Sequence, residues 1–116
     1  MYSGETFSIA DLPRKMVGFG HAFRAEGAGG SNNRGIYRVH QFSKVELFSL
    51  ANKRDSMDIF RSFIEIQKLI FDGLELSYRI LNMPSQELGA PAYIKYDIEA
   101  WMPGRNSYGE VIFVHI

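Results

Sequence analysis

The sequence predicts an α+β fold with elements in the order ββαβββ, an antiparallel sheet with one long helix packed on it. Three observations carry this expectation. Two alternating stretches, MVGFGHAFRAE (16–26) and IYRVHQFSKVELFSL (36–50), enclose the loop GAGGSNNRG, the pattern of a hairpin with a wide tip. From residue 55 the apolar period changes to three and four, the period of a helix. Three further short alternating runs follow, separated by turn-rich segments.

Taken in order, residues 1–15 are polar and turn-like, and strand character starts at Met16. The loop from Gly27 to Gly35 holds four glycines and two asparagines, residues that take positive φ at little cost. On the second strand, alternation puts Arg38, His40, Phe42, Lys44, Glu46 and Phe48 on one face and Tyr37, Val39, Val45 and Leu47 on the other, which is the expected core face. Asp55 or Ser56 can cap the helix, whose apolar stripe is Met57, Phe60, Phe63, Ile64, Ile70, Phe71 and Leu74, and Gly73 marks its end. The remaining strands are SYRILNM (77–83), AYIKYDIEAWM (92–102) and EVIFVHI (110–116), with turns at PSQELGAP and PGRNSYG.

Composition sets limits. A chain of 116 residues makes one domain at most and buries roughly two-thirds of its unfolded surface. Thirteen Lys and Arg balance thirteen Asp and Glu, so no global basic field advertises nucleic acid. The absence of cysteine excludes disulfides, thiolate metal sites and cysteine nucleophiles. The first residues show neither the apolar core of a secretory signal nor an Arg-rich amphipathic pattern, and no run approaches the ~20 apolar residues of a membrane span.

The armed face of the second strand is the candidate site. Arg38, Phe42 and Glu46 place a guanidinium, an aromatic plane and a carboxylate at steps of about 13 Å, the scale of a nucleotide conjugate laid along a sheet. Arg24 and Glu26 share a parity on the first strand. Such groups suit a phosphate, a base and an amine, and they equally suit a solvated face with cross-strand ion pairs. His40 reads as a hydrogen-bonded surface histidine, and His21 and His115 share no metal-ligand spacing with it. Asp97 and Glu99 share a strand face and could hold a cation or form a solvated pair.

The stretch FRAE, the Gly-rich tip and RGIYRVHQFSKVE resemble motif 2 of class II aminoacyl-tRNA synthetases in the form used by seryl-tRNA synthetases, and MPSQELGAPAYIKYDIEAWMPGRNSYGEV resembles the segment before that family's motif 3. The mitochondrial branch is the nearest match. The resemblance covers about residues 12–111 and leaves 112–116 as a divergent tail, so that 1–116 resembles part of a class II catalytic domain. It implies that Arg24 grips the α-phosphate and the serine carboxylate, Glu26 meets the adenine edge and Arg38 holds the outer phosphates. It also implies that Phe42 stacks on adenine, Glu46 binds the substrate serine and Glu110 coordinates Mg²⁺. The implied substrates are ATP, serine and tRNA(Ser), the implied assembly is a homodimer, and the implied location is the mitochondrial matrix.

The chain departs from that pattern in ways that shape further expectations. Phe113 stands where the family has a magnesium-binding serine, and motif 1, motif 3 and the N-terminal tRNA-binding arm have no counterpart. The chain is therefore expected to be a fragment or truncated isoform of a serine–tRNA ligase, inactive alone. The alternative is a non-catalytic paralogue acting as a nucleotide-binding or protein-interaction module. An uncovered edge at VIFVHI suggests self-association or chaperone binding, which lysine at Ile112 and Val114 is expected to relieve.

Overall fold

The computed structural model describes residues 2–27 and 36–116; residues 28–35 of the predicted loop 27–35 lie outside the described residues. The chain forms two compact units, Pro13–Leu50, and Met1–Leu12 together with Ala51–Ile116. The strands form two sheets where one was expected, a two-stranded hairpin and a three-stranded antiparallel sheet.

In the first unit β1 (Arg14–Phe23) pairs antiparallel with β2 (Gln41–Leu50), in a register running from Arg14 opposite Leu50 to Phe23 opposite Gln41. Pairing stops short of the predicted 16–26 and 36–50, so Arg24, Glu26, Arg38 and His40 lie beyond the ladder, where alternation no longer assigns faces. The expected core face is also corrected. Tyr37 and Val39 lie outside β2, Val45 is 59% exposed, and Val17 and Phe19 across from Leu47 and Val45 are each 70% exposed. A two-stranded ribbon has no second layer of its own to bury an apolar face.

The second unit holds the buried core. After a 3₁₀ turn at Ile9–Asp11 capped by Ser8, the chain returns at 51 and enters α1 (Ser56–Gly73). The sheet has the order β3 (Tyr78–Asn82), β4 (Lys95–Met102), β5 (Ser107–His115). The helix lies on this sheet through Phe60, Ile64 and Val114, with Met57, Phe63, Ile80, Ile94, Tyr96 and Ile116 packed around them. Phe60 meets Tyr96 edge to face at 5.1 Å, and Ile98 of the central strand is fully buried. The helix stripe is rotated from its predicted centre. Ile59 and Gln67 are buried while Ile70 and Leu74 are exposed. At the helix foot Tyr78 donates its hydroxyl to Asp72 at 2.9 Å, a bond that raises the tyrosine pKa above its ordinary value.

Helix ends follow local chemistry. Asp55 occupies the N-cap position without a capping hydrogen bond; its carboxylate instead accepts from Asn52 Nδ2 at 2.6 Å, and its N–H donates to Asn52 Oδ1 at 3.0 Å. At the C-terminus Leu76 N–H bonds to Phe71 O and Glu75 N–H to Asp72 O, the double bond of a Schellman ending. The left-handed residue that this ending needs is Glu75, at φ 55°, and Gly73 remains helical.

β5 carries a bulge. Ile98 pairs with Ile112 whereas Glu99 pairs with Glu110, so Val111 is the extra residue. The bulge shifts the alternation, so that Glu110 and Phe113, three residues apart, oppose Glu99 and Asp97 on the sheet face away from α1. β5 is an edge strand, as expected, but its outward residues are Val111 and Phe113, 50% and 40% exposed. Val114 is 6% exposed and belongs to the core.

Glu75→Gly is expected to raise the unfolding free energy by about 1 kcal/mol, because glycine takes left-handed backbone without a Cβ clash. Urea unfolding followed at the helical circular dichroism band measures it.

Candidate functional site

The hairpin face formed by Gly18, Gly20 and Ala22 on β1 and Glu46, Lys44 and Phe42 on β2 is a trough. These residues are register partners in that order, so three side chains of length stand across from three positions with almost none. A Cβ added at Gly18 or Gly20 would meet nothing within 4 Å. The floor is thus backbone, and Lys44 and Glu46 form one wall of a shallow cavity of about 280 Å³. Lys44 Nζ lies 2.5 Å from Glu46 Oε1 along this wall.

The remaining predicted residues gather at the open end of the hairpin. The Arg24 guanidinium lies over the Phe42 ring, 4.9 Å from its centre. Arg38 Nε donates to Glu26 Oε2 at 2.7 Å, with the Arg38 side chain 45% exposed and that of Glu26 14%. The hydrogen bond first, and the charge second, hold the Arg38 guanidinium above its ordinary pKa. The structure therefore brings Arg24 to Phe42 and Arg38 to Glu26, as two internal pairs, beside the Glu46 trough. Both guanidiniums are open to water while Glu26 and Phe42 are half-buried, so it is the arginine of each pair that a ligand of matching charge can draw away.

Glu110 lies in the other unit, on the face that β3–β5 turn away from α1. Its register partner Glu99 accepts from Arg79 Nε at 2.6 Å, and the Arg79 guanidinium also lies 4.4 Å over the Tyr108 ring. Buried Asp97 has Lys95 Nζ 2.7 Å from its Oδ1, a contact that balances charge without hydrogen-bond alignment. Each carboxylate of the Asp97 and Glu99 pair thus has its own cation. Glu110, Lys95, Phe113 and His115 line a second shallow cavity of about 250 Å³. Among the described residues no group of three His, Asp or Glu is placed to hold a metal ion.

Sequence reasoning missed the trough floor and the two internal pairs. Gly18, Gly20 and Ala22 share one parity within GFGHA, which is the signal that marks a side-chain-free strand face. Gly20→Val is expected to stabilise the hairpin by about 0.5–1 kcal/mol, because a strand glycine is conformationally costly and the space above it is open. A rise in thermal midpoint measures this; a fall would mean that the trough is filled in the folded chain.

Comparison with known proteins adds the following. The tRNA synthetase class II core domain family (G, H, P, S and T) matches residues 1–116. The serine–tRNA ligase of Borrelia garinii subsp. bavariensis is 58% identical over 104 residues, covering 86% of this chain and 24% of that protein. The serine–tRNA ligase of Dictyoglomus turgidum is 50% identical over 111 residues, covering 95% and 26%. Among solved structures, seryl-tRNA synthetase from Pyrococcus horikoshii complexed with ATP matches with a TM-score of 0.90 at 40% identity, over 97% of this chain and 25% of that one. Cytoplasmic serine–tRNA ligase from Naegleria fowleri in complex with AMP matches at 0.85 and 36% identity, over 92% and 26%. The chain spans about a quarter of the length of each of these relatives.

Proposed function

The chain belongs to the tRNA synthetase class II core domain family, and on that premise we propose that it carries the ATP- and serine-binding hairpin of a serine–tRNA ligase. In the whole reaction a serine carboxylate oxygen attacks the α-phosphorus of ATP and pyrophosphate leaves. The seryl group then passes from the adenylate to tRNA(Ser). No protein nucleophile is needed; two anions must be brought together and their charge spread over fixed donors.

The observation that carries the proposal is the trough over Gly18 and Gly20, walled by Glu46, with Phe42 and Arg24 at its open end. In this reading adenine stacks on Phe42 and takes the place now held by the Arg24 guanidinium, which turns to the α-phosphate and the serine carboxylate. Glu26 accepts from the adenine edge once Arg38 leaves it for the outer phosphates. Glu46 takes the serine ammonium, so that serine binds through paired polar groups that alanine would leave unsatisfied.

Mg²⁺ fits this chain in part. Glu110 would hold it, and the ion would supply positive charge for phosphate oxygens, yet Phe113 at the neighbouring position on the same face has no oxygen to add. Magnesium often takes only one or two carboxylates and completes its shell with water and phosphate. That substitution favours a second reading, nucleotide binding without serine activation.

The 116-residue protein is expected to bind ATP, and Arg24→Ala to weaken binding by about 10- to 100-fold, as loss of a charge-assisted contact does; isothermal titration measures both. Serine-dependent pyrophosphate exchange by this chain alone is expected at background, because losing even one preorganised donor costs about 10²–10³ in rate. Exchange well above background would overturn the inactivity of the isolated chain.

The edge β5 is proposed to make the chain self-associate. The double substitution Val111→Lys and Phe113→Lys is expected to shift sedimentation toward monomer at micromolar concentration, since charge on an edge strand opposes pairing. Val114→Lys should unfold the second unit instead.

A further inference from the structure

His40 lies just before β2, outside the ladder, and it touches Arg24 twice. Its backbone carbonyl accepts the Arg24 N–H at 2.8 Å, and its ring Nδ1 lies 2.9 Å from the Arg24 carbonyl oxygen. A carbonyl has no proton to give, so Nδ1 must carry one, and a neutral His40 is then the Nδ1–H tautomer. The last register pair of the ladder is Phe23 with Gln41. Beyond it the strand supplies one more backbone bond, and the imidazole supplies the other.

We propose that His40 is a positioning residue for Arg24, a two-point clasp that fixes the arginine backbone so that its guanidinium is delivered to the Phe42 end of the trough. The inference rests on the nucleotide-binding reading above and adds to it a residue with no ligand contact of its own. Without the ring, the Arg24 carbonyl loses its partner on the hairpin and the backbone there is free to rotate. The guanidinium would then have to be ordered by the ligand, and that ordering entropy is taken from affinity. Asparagine can replace the clasp, because its side-chain N–H₂ lies the same number of bonds from Cα as Nδ1. Leucine cannot.

The test is titration of the 116-residue chain with ATP. His40→Leu is expected to weaken binding by about fivefold to tenfold, the worth of one hydrogen bond, and His40→Asn to stay within about twofold of the parent. Arg24→Ala with His40→Leu should bind no more weakly than Arg24→Ala alone, because the two act as one unit. Additive losses, an unweakened His40→Leu, or a His40→Asn as weak as His40→Leu would each overturn the proposal. Amide exchange at Arg24 separates this from the parent reading. If the chain binds no ATP, the nucleotide-binding reading fails, and the clasp is judged by exchange alone. Protection at Arg24 in the parent and His40→Asn but not in His40→Leu, with Gly20, an amide of a hydrogen-bonded ladder pair, protected in all three, upholds the clasp. Equal exchange in all three refutes it.

Discussion

The register of β1 against β2 is the constraint on which the hairpin site depends. Gly18 faces Glu46, Gly20 faces Lys44 and Ala22 faces Phe42, so the side chains that arm one strand stand over bare backbone on the other. A slip of one residue would place Val17, Phe19 and His21 on that face and fill the trough with bulk. The same register leaves Val17, Phe19, Val45 and Leu47 together on the opposite face, where the first three are largely exposed. One alignment thus produces both an open polar floor and an apolar underside.

At the open end, charge is handled by exchangeable pairs. Arg24 on Phe42 and Arg38 on Glu26 keep their guanidiniums water-accessible, where an ion pair or ring contact contributes little and a ligand carrying phosphate can compete for the arginine. The contrast with the second unit is instructive. There Arg79 is held by Glu99 on one side and by the Tyr108 ring on the other, and Asp97 is buried beside Lys95. Those contacts brace the sheet face on which the bulge at Val111 sets Glu110 and Phe113 side by side.

Much of this was legible from residue patterns. The element order, the antiparallel pairing and the helix near 55–73 follow from apolar periods of two and of three to four. What alternation could not supply was where pairing stops, and therefore that Arg38 and His40 leave the strand before β2 begins at Gln41. The buried Gln67 and the exposed Ile70 show why the helix face was misplaced by sequence, since polarity alone counts neither as such. The left-handed residue at the helix end is Glu75 although Gly73 stands two residues before it, because the Schellman bonds to Phe71 and Asp72 fix the position and the residue type follows at a cost. The two internal pairs depend on side-chain conformations beyond the ladder, which no spacing rule describes.

The central claim is that the ligand lies on the face of Gly18, Gly20 and Ala22. Methyl-labelled NMR of the 116-residue chain titrated with ATP tests it most directly, because methyl groups mark the two faces separately. The account predicts that the Ala22 methyl, beside Phe42, shifts on adding ATP while the methyls of Val17, Val45 and Leu47 stay in place. Movement of the Val17, Val45 and Leu47 methyls with Ala22 unmoved would contradict it.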